Sequence, residues 1–160
     1  MKIRPHPPLK SSPVYAVQAS FLALCIRRLE AATRRTFERP YNPDAGEAAV
    51  FWRLHDYQVF HDAAYACGFV CNDGDATYPI EAVNDRPSEL LGQEDFDRLR
   101  QYVHTLLRAE RSNRMDGYFS PVCSAIQTGA LGVVASRLES DDSLYRRGHG
   151  APGGAGLWED

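Results

Sequence analysis

Apolar residues recur at helical spacing through most of the chain, most clearly from Gln93 to Glu139. Phe96, Leu99, Val103, Leu106 and Leu107 fall on one helical face, behind an acidic start at Glu94, Asp95 and Asp97. The helix dipole favours acids at that end. The run Arg-Ala-Glu-Arg at 108 to 111 reads as a charged turn after this helix. At about 100° per residue, Glu110 returns to the apolar stripe, with Arg108 and Arg111 on its flanks. The next helix has a clean start, with Ser120 as cap and Pro121 at the first helical position. Val122, Cys123 and Ile126 give its apolar face and Gly129 its stop. Leu131, Val134, Ala135 and Leu138 make a third amphipathic segment, which Gly132 weakens by about 1 kcal/mol relative to alanine.

The N-terminal half reads less sharply. Ser12-Pro13 opens a first helix that runs to about Phe37, with Val14, Val17, Phe21, Leu24, Cys25 and Leu29 inward. After a turn at Tyr41-Asn42-Pro43, Asp44 and Glu47 have capping-box spacing for a helix from Ala45 to Cys67, closed by Gly68. Its stripe of Phe51, Leu54, Tyr57, Phe60, Ala64 and Cys67 drifts around the axis, which calls for a bend or break near Asp56. Phe69-Val70-Cys71 reads as a short strand, Asp73-Gly74 as a tight turn, and Ala76 to Tyr78 as the return. Asn84 to Pro87 reads as a loop. The expected fold is mainly α, a compact bundle of about five helices with at most one short β-hairpin near residues 69–78. Residues 1–12, with Pro5, Pro7 and Pro8, read as a flexible arm, 13–140 as a single helical domain, and 141–160 as a disordered glycine-rich tail.

Composition narrows the function classes. A chain of 160 residues can build one real core. Its net charge of -3 argues against general electrostatic binding to nucleic acid, leaving only a local basic patch. The basic residues are almost all arginine, Lys2 and Lys10 being the only lysines. Cys25, Cys67, Cys71 and Cys123 are scattered, and the lone C-x3-C pair lacks a second pair for a zinc site, so free buried thiols in a reducing cytoplasm are expected. The apolar run from Val14 to Ile26 is too short to span a bilayer and meets Arg27 and Arg28 at once, so no membrane association is expected.

The sequence shows no nucleotide-binding glycine loop, nucleophile elbow or zinc-binding helix motif. Catalytic residues, metal ligands and cofactors are therefore assigned to none. His55, Asp56, His61 and Asp62 read as a solvated polar face, and Asn72, Asp73 and Asp75 lack the calcium-loop pattern. One cluster remains: Arg108, Glu110, Arg111, Arg114 and Asp116. An acid on a buried face must be paired or neutralised, and its nearest partners in sequence are these arginines. The simple reading is a salt bridge that closes the helix end. The functional reading is a site for a small anion or a partner. Three functions compete on this basis. The leading one is a bacterial cytoplasmic protein-interaction or accessory domain, non-catalytic, with an unknown protein partner. A small enzyme or anion-binding protein would use Arg108, Glu110, Arg111 and Asp116, with His104 nearby. A nucleic-acid-binding protein would join Arg27, Arg28, Arg34 and Arg35 to the arginines at 108 to 114.

The run YVHTLLRAER, the pair Asp116-Gly117, Gly129 and the run VVASRL together resemble the C-terminal half of a small bacterial family of unknown function. That family carries a helix ending Thr-x-x-Arg-x-Asp/Glu-Arg-Phe, an acid–glycine pair and a closing apolar helix. Thr105, Arg108, Glu110 and Arg111 match, while Ser112 stands where the family has an aromatic residue. The resemblance implies a mostly helical domain and supplies no activity.

Overall fold

The computed structural model describes residues 13–70, 78–94, 96–116 and 119–140. Among them the chain forms eight α-helices and one 3-10 turn and no strand, so the mainly α class holds. The helices are α1 (Pro13–Thr36), α2 (Glu47–Trp52), α3 (His55–Ala66), α4 (Ile80–Asp85), α5 (Pro87–Leu91), α6 (Phe96–Asp116), α7 (Pro121–Thr128) and α8 (Ala130–Ser140), with the 3-10 turn at Pro43–Ala45. The expected arm at 1–12, the tail at 141–160, Cys71 and the Asn72-to-Asp75 acids lie outside the described residues.

Eight helices stand where about five are expected, for two reasons. The helix expected over 45–67 breaks at Leu54, whose extended backbone (ψ 134°) separates α2 from α3. The supposed loop around 84–87 is two short helices hinged at Arg86, which precedes Pro87 and is kept out of the helical region. Val83 and Leu91 anchor the pair in the core. The last carbonyls of this segment are satisfied from a distance: Arg137 on α8 donates to Leu91 O at 2.7 Å and Glu94 O at 2.8 Å.

α1 packs most extensively on α8 and α3. Its inward face is not the expected one. Cys25 and Leu29 are buried, but Phe21 is 51% and Leu24 46% exposed, and Ala19, Leu22, Ala23 and Ile26 point inward. Val14 and Val17 have side chains outside the description. α1 carries apolar residues around most of its girth, so periodicity alone does not choose the face. The face holding Ala19 and Ala23 lets neighbouring helices come close. On the α8 side the approach is tight at Gly132, where a Cβ would lie 2.6 Å from the Glu30 carboxylate. Arg27 fixes this contact, bonding Ser136 Oγ at 2.7 Å and pairing with Glu139 at 3.1 Å.

The strand expected at Phe69-Val70 is absent. Gly68 takes a left-handed conformation (φ 83°) and ends α3 in a Schellman motif. The Gly68 N–H donates to Tyr65 O and the Phe69 N–H to Ala64 O. Phe69 is thereby turned into the core, its ring edge-on to Phe96 at 5.6 Å. The turn and return of the proposed hairpin lie outside the described residues. The Asp44–Glu47 capping box does not form either. Gly46 (φ 75°) occupies the N-cap, and Glu47 accepts instead from the Asn42 N–H at 2.7 Å and pairs with Arg39.

Cys25, Cys67 and Cys123 are free and buried, as expected. Burial pushes the Cys67 thiol up to about 11 and that of Cys123 to about 12. Among the described residues no helix is long and apolar enough to cross a membrane. α7 and α8 meet at Gly129, whose φ of 90° only glycine adopts without strain. Nothing lies within 4 Å of the position a Cβ would take there. Gly129→Ala is therefore expected to cost about 1–2 kcal/mol through the backbone alone. Urea unfolding should show a lower midpoint with an unchanged slope.

Candidate functional site

The charged run at 108 to 111 is not a turn. α6 continues through it to Asp116, because the apolar stripe continues with it. Glu110 lies on that stripe as expected and is only 1% exposed. Its partners are not the arginines. Trp52 Nε1 donates to it at 2.5 Å, the Ser120 hydroxyl at 2.7 Å and the Val122 N–H at 3.0 Å. The salt bridge expected to close the helix is thus replaced by a cap delivered from another helix. Glu110 serves the first turn of α7, where unpaired N–H groups and the positive end of the dipole meet. Ser120 completes the cap by accepting from the Cys123 N–H at 2.9 Å, while its own N–H donates to the Tyr41 hydroxyl at 3.0 Å. Burial pushes the pKa of Glu110 up, and the bonds from Val122, Ser120 and Trp52 and the charge of Arg114 offset this only in part.

With α6 unbroken, Leu107, Arg111, Arg114 and Met115 line up opposite Tyr57 and His61 of α3. Together with Glu110 they line an open cleft of about 350 Å³. The Arg114 guanidinium lies over the Trp52 ring at 5.6 Å and the Tyr57 ring at 5.8 Å. Neither Arg111 nor Arg114 has an ion pair among the described residues. Near Arg114, the Tyr57 hydroxyl is buried and has no hydrogen-bond partner of good geometry among the described residues. Its pKa is raised by burial and by Glu110, against the pull of Arg114. Met115 stands at the rim, 85% exposed.

The structure therefore brings Glu110, Arg111 and Arg114 together and leaves Arg108 exposed, outside the lining. The backbone of Asp116 ends α6, and its side chain lies outside the description. His104 is fully buried and is not on the cleft wall. The arginine face of α1 is interrupted. Arg27 is engaged with Glu30, Ser136 and Glu139, leaving Arg28, Arg34 and Arg35 exposed. His61 pairs with Asp62 at 3.2 Å, and no group of His, Cys, Asp or Glu among the described residues is placed to hold a metal. Sequence reasoning missed Trp52 and Tyr57 as site residues, placing Tyr57 only in the packing stripe. The indole of Trp52 was the available signal, since a half-buried indole N–H needs an acceptor.

No family model, curated protein or solved structure matches this chain.

Glu110→Ala leaves the Trp52, Ser120 and Val122 donors without their acceptor and is expected to cost about 3 kcal/mol, read from urea unfolding. Trp52→Phe removes one of those donors and should cost about 1 kcal/mol. The pH dependence follows from the raised pKa of Glu110. The folded state holds this proton more tightly than the unfolded chain. The contribution is thus complete below the ordinary carboxylate range and is lost as pH rises through the folded value. The stability of the native protein relative to Glu110→Gln should fall as pH rises from the ordinary carboxylate range, and a rising difference would contradict the assignment.

Proposed function

We propose that this protein is a non-catalytic interaction module of the cytoplasm that docks an anionic segment of a protein partner in the α3–α6 cleft. The observation that carries the reading is the division of labour around Glu110. Both carboxylate oxygens are engaged by Trp52, Ser120 and Val122, and the neighbouring arginines pair with no other carboxylate among the described residues. Arg111 and Arg114 then present two cations at a cleft that also offers the exposed Met115 as an apolar contact. Such a mixture of arginine and methionine surface suits protein recognition.

Two rival readings have less support. An enzyme using this cluster would need Glu110 free to move a proton, and it is enclosed and serves as a helix cap. A nucleic-acid surface on α1 would need Arg27, which is engaged with α8.

The test is capture of partners from host lysate by the native protein and by an Arg111→Ala, Arg114→Ala double variant. Both side chains are exposed, and the loss of the Arg114 contacts with Trp52 and Tyr57 should cost about 1 kcal/mol, leaving the variant folded. A specific protein retained by the native form should be lost at least tenfold in the double variant. Arg108→Ala, outside the lining, should retain most of the capture. Equal capture by all three proteins would remove the cleft from the interaction.

A further inference from the structure

We infer that the group held in the α3–α6 cleft is a phosphate monoester rather than a carboxylate. This rests on the anion-docking reading above and names the chemistry of what is docked.

The donor inventory leads to it. A carboxylate carries one negative charge, and one guanidinium in a bidentate pair neutralises it. The cleft supplies more than that: the guanidinium groups of Arg111 and Arg114, and the Tyr57 hydroxyl beneath them. Buried polar groups are nearly always hydrogen-bonded, so the enclosed Tyr57 hydroxyl, without a partner among the described residues and lying just behind the cleft, marks where an acceptor could be taken up. A phosphate monoester brings three acceptor oxygens and close to two negative charges, which matches two arginines and a hydroxyl.

The surroundings agree. Arg114 lies over the rings of Trp52 and Tyr57, which hold its plane and reduce the freedom lost on binding. It has no ion pair to break among the described residues, so it can tilt toward the ligand and uncover the hydroxyl below. The Glu110 carboxyl would repel a dianion, but its oxygens are engaged by Trp52, Ser120 and Val122. Burial also favours its neutral form. At about 350 Å³ the cleft sits at the small end of ligand sites, suited to one side-chain-sized group. The exposed Met115 can flank the carbon atoms that carry the phosphate.

The chemistry is shared by a phosphorylated side chain of a partner and by a free small phosphomonoester, and the experiment separates them. The full-length protein is titrated with inorganic phosphate and phenyl phosphate, and with acetate and benzoate, by calorimetry. Phosphate probes should bind at least tenfold tighter than the matched carboxylates, and Arg114→Ala should abolish the difference. Tyr57→Phe should weaken phenyl phosphate binding roughly tenfold while leaving the protein at least as resistant to urea. A merely structural hydroxyl would not produce that opposition. Equal affinity for carboxylates, or unchanged binding by a folded Tyr57→Phe variant, overturns the inference.

Phosphatase treatment of the lysate keeps the two readings distinguishable. Loss of the captured protein supports both. Capture that survives phosphatase but still needs Arg111 and Arg114 overturns the phosphate inference and leaves the docking reading standing. Phosphate binding with no captured protein supports the phosphate inference through a small-molecule source and removes the protein-partner reading.

Discussion

A carboxyl group that is 1% exposed, on the apolar stripe of a helix, is the constraint from which this structure is best understood. Glu110 tolerates burial because three donors reach it from two other places in the chain. Trp52 comes from the end of α2, and Ser120 and Val122 come from the start of α7. The acid therefore sets the position of α7 relative to α6 and ties the N-terminal half of the fold to both. Tyr41 reinforces the same corner. Its hydroxyl accepts from the Ser120 N–H and its own N–H donates to Gln127. Removing one member of such a network costs more than its own bond, because the remaining groups stay buried.

The same arrangement explains why a cationic cleft exists at all. Arginines next to a buried glutamate would ordinarily be its counterions. Here the helix terminus has taken that role, and Arg111 and Arg114 are left facing α3. The fold thus separates one acid from two bases that are its close neighbours in sequence. Electrostatic cost is accepted on the inside, where hydrogen bonds offset it, and positive potential is left on the outside.

How much of this was legible depended on whether the signal was local. Ser120-Pro121 and Gly129 bracket α7 as read, because caps and left-handed glycines are decided by a few adjacent residues. The buried position of Glu110 was also legible, since it follows from helical phase. Its partners were not. Trp52 is 58 positions away, and nothing near Glu110 in sequence points to it. The arginines were the wrong partners for the same reason: proximity along the chain was the available criterion. The run at 108 to 111 looked like a turn because four consecutive polar or small residues suggest one, yet α6 needs only Leu107 and Glu110 inward to continue. Phe69 and Val70 looked like a strand because apolar pairs beside a glycine suit either a strand or a Schellman cap. α1 was misphased because apolar residues around much of its circumference leave the choice of face to α3 and α8.

That last dependence has a temporal side. The inward face of α1 is covered by α8, and the contact between them is made by residues as far apart as Arg27 and Glu139, a separation of 112 positions. Translation at about 5–20 residues per second places on the order of ten seconds between the appearance of the two. During that interval the alanine-lined face of α1 has no lid, and Arg27 has no Glu139 to pair with. α3 follows within a few dozen residues, so what waits for the end of the chain is the α8-facing part of α1. The seam between the first and last helices is thus the last part of the fold that synthesis allows to close.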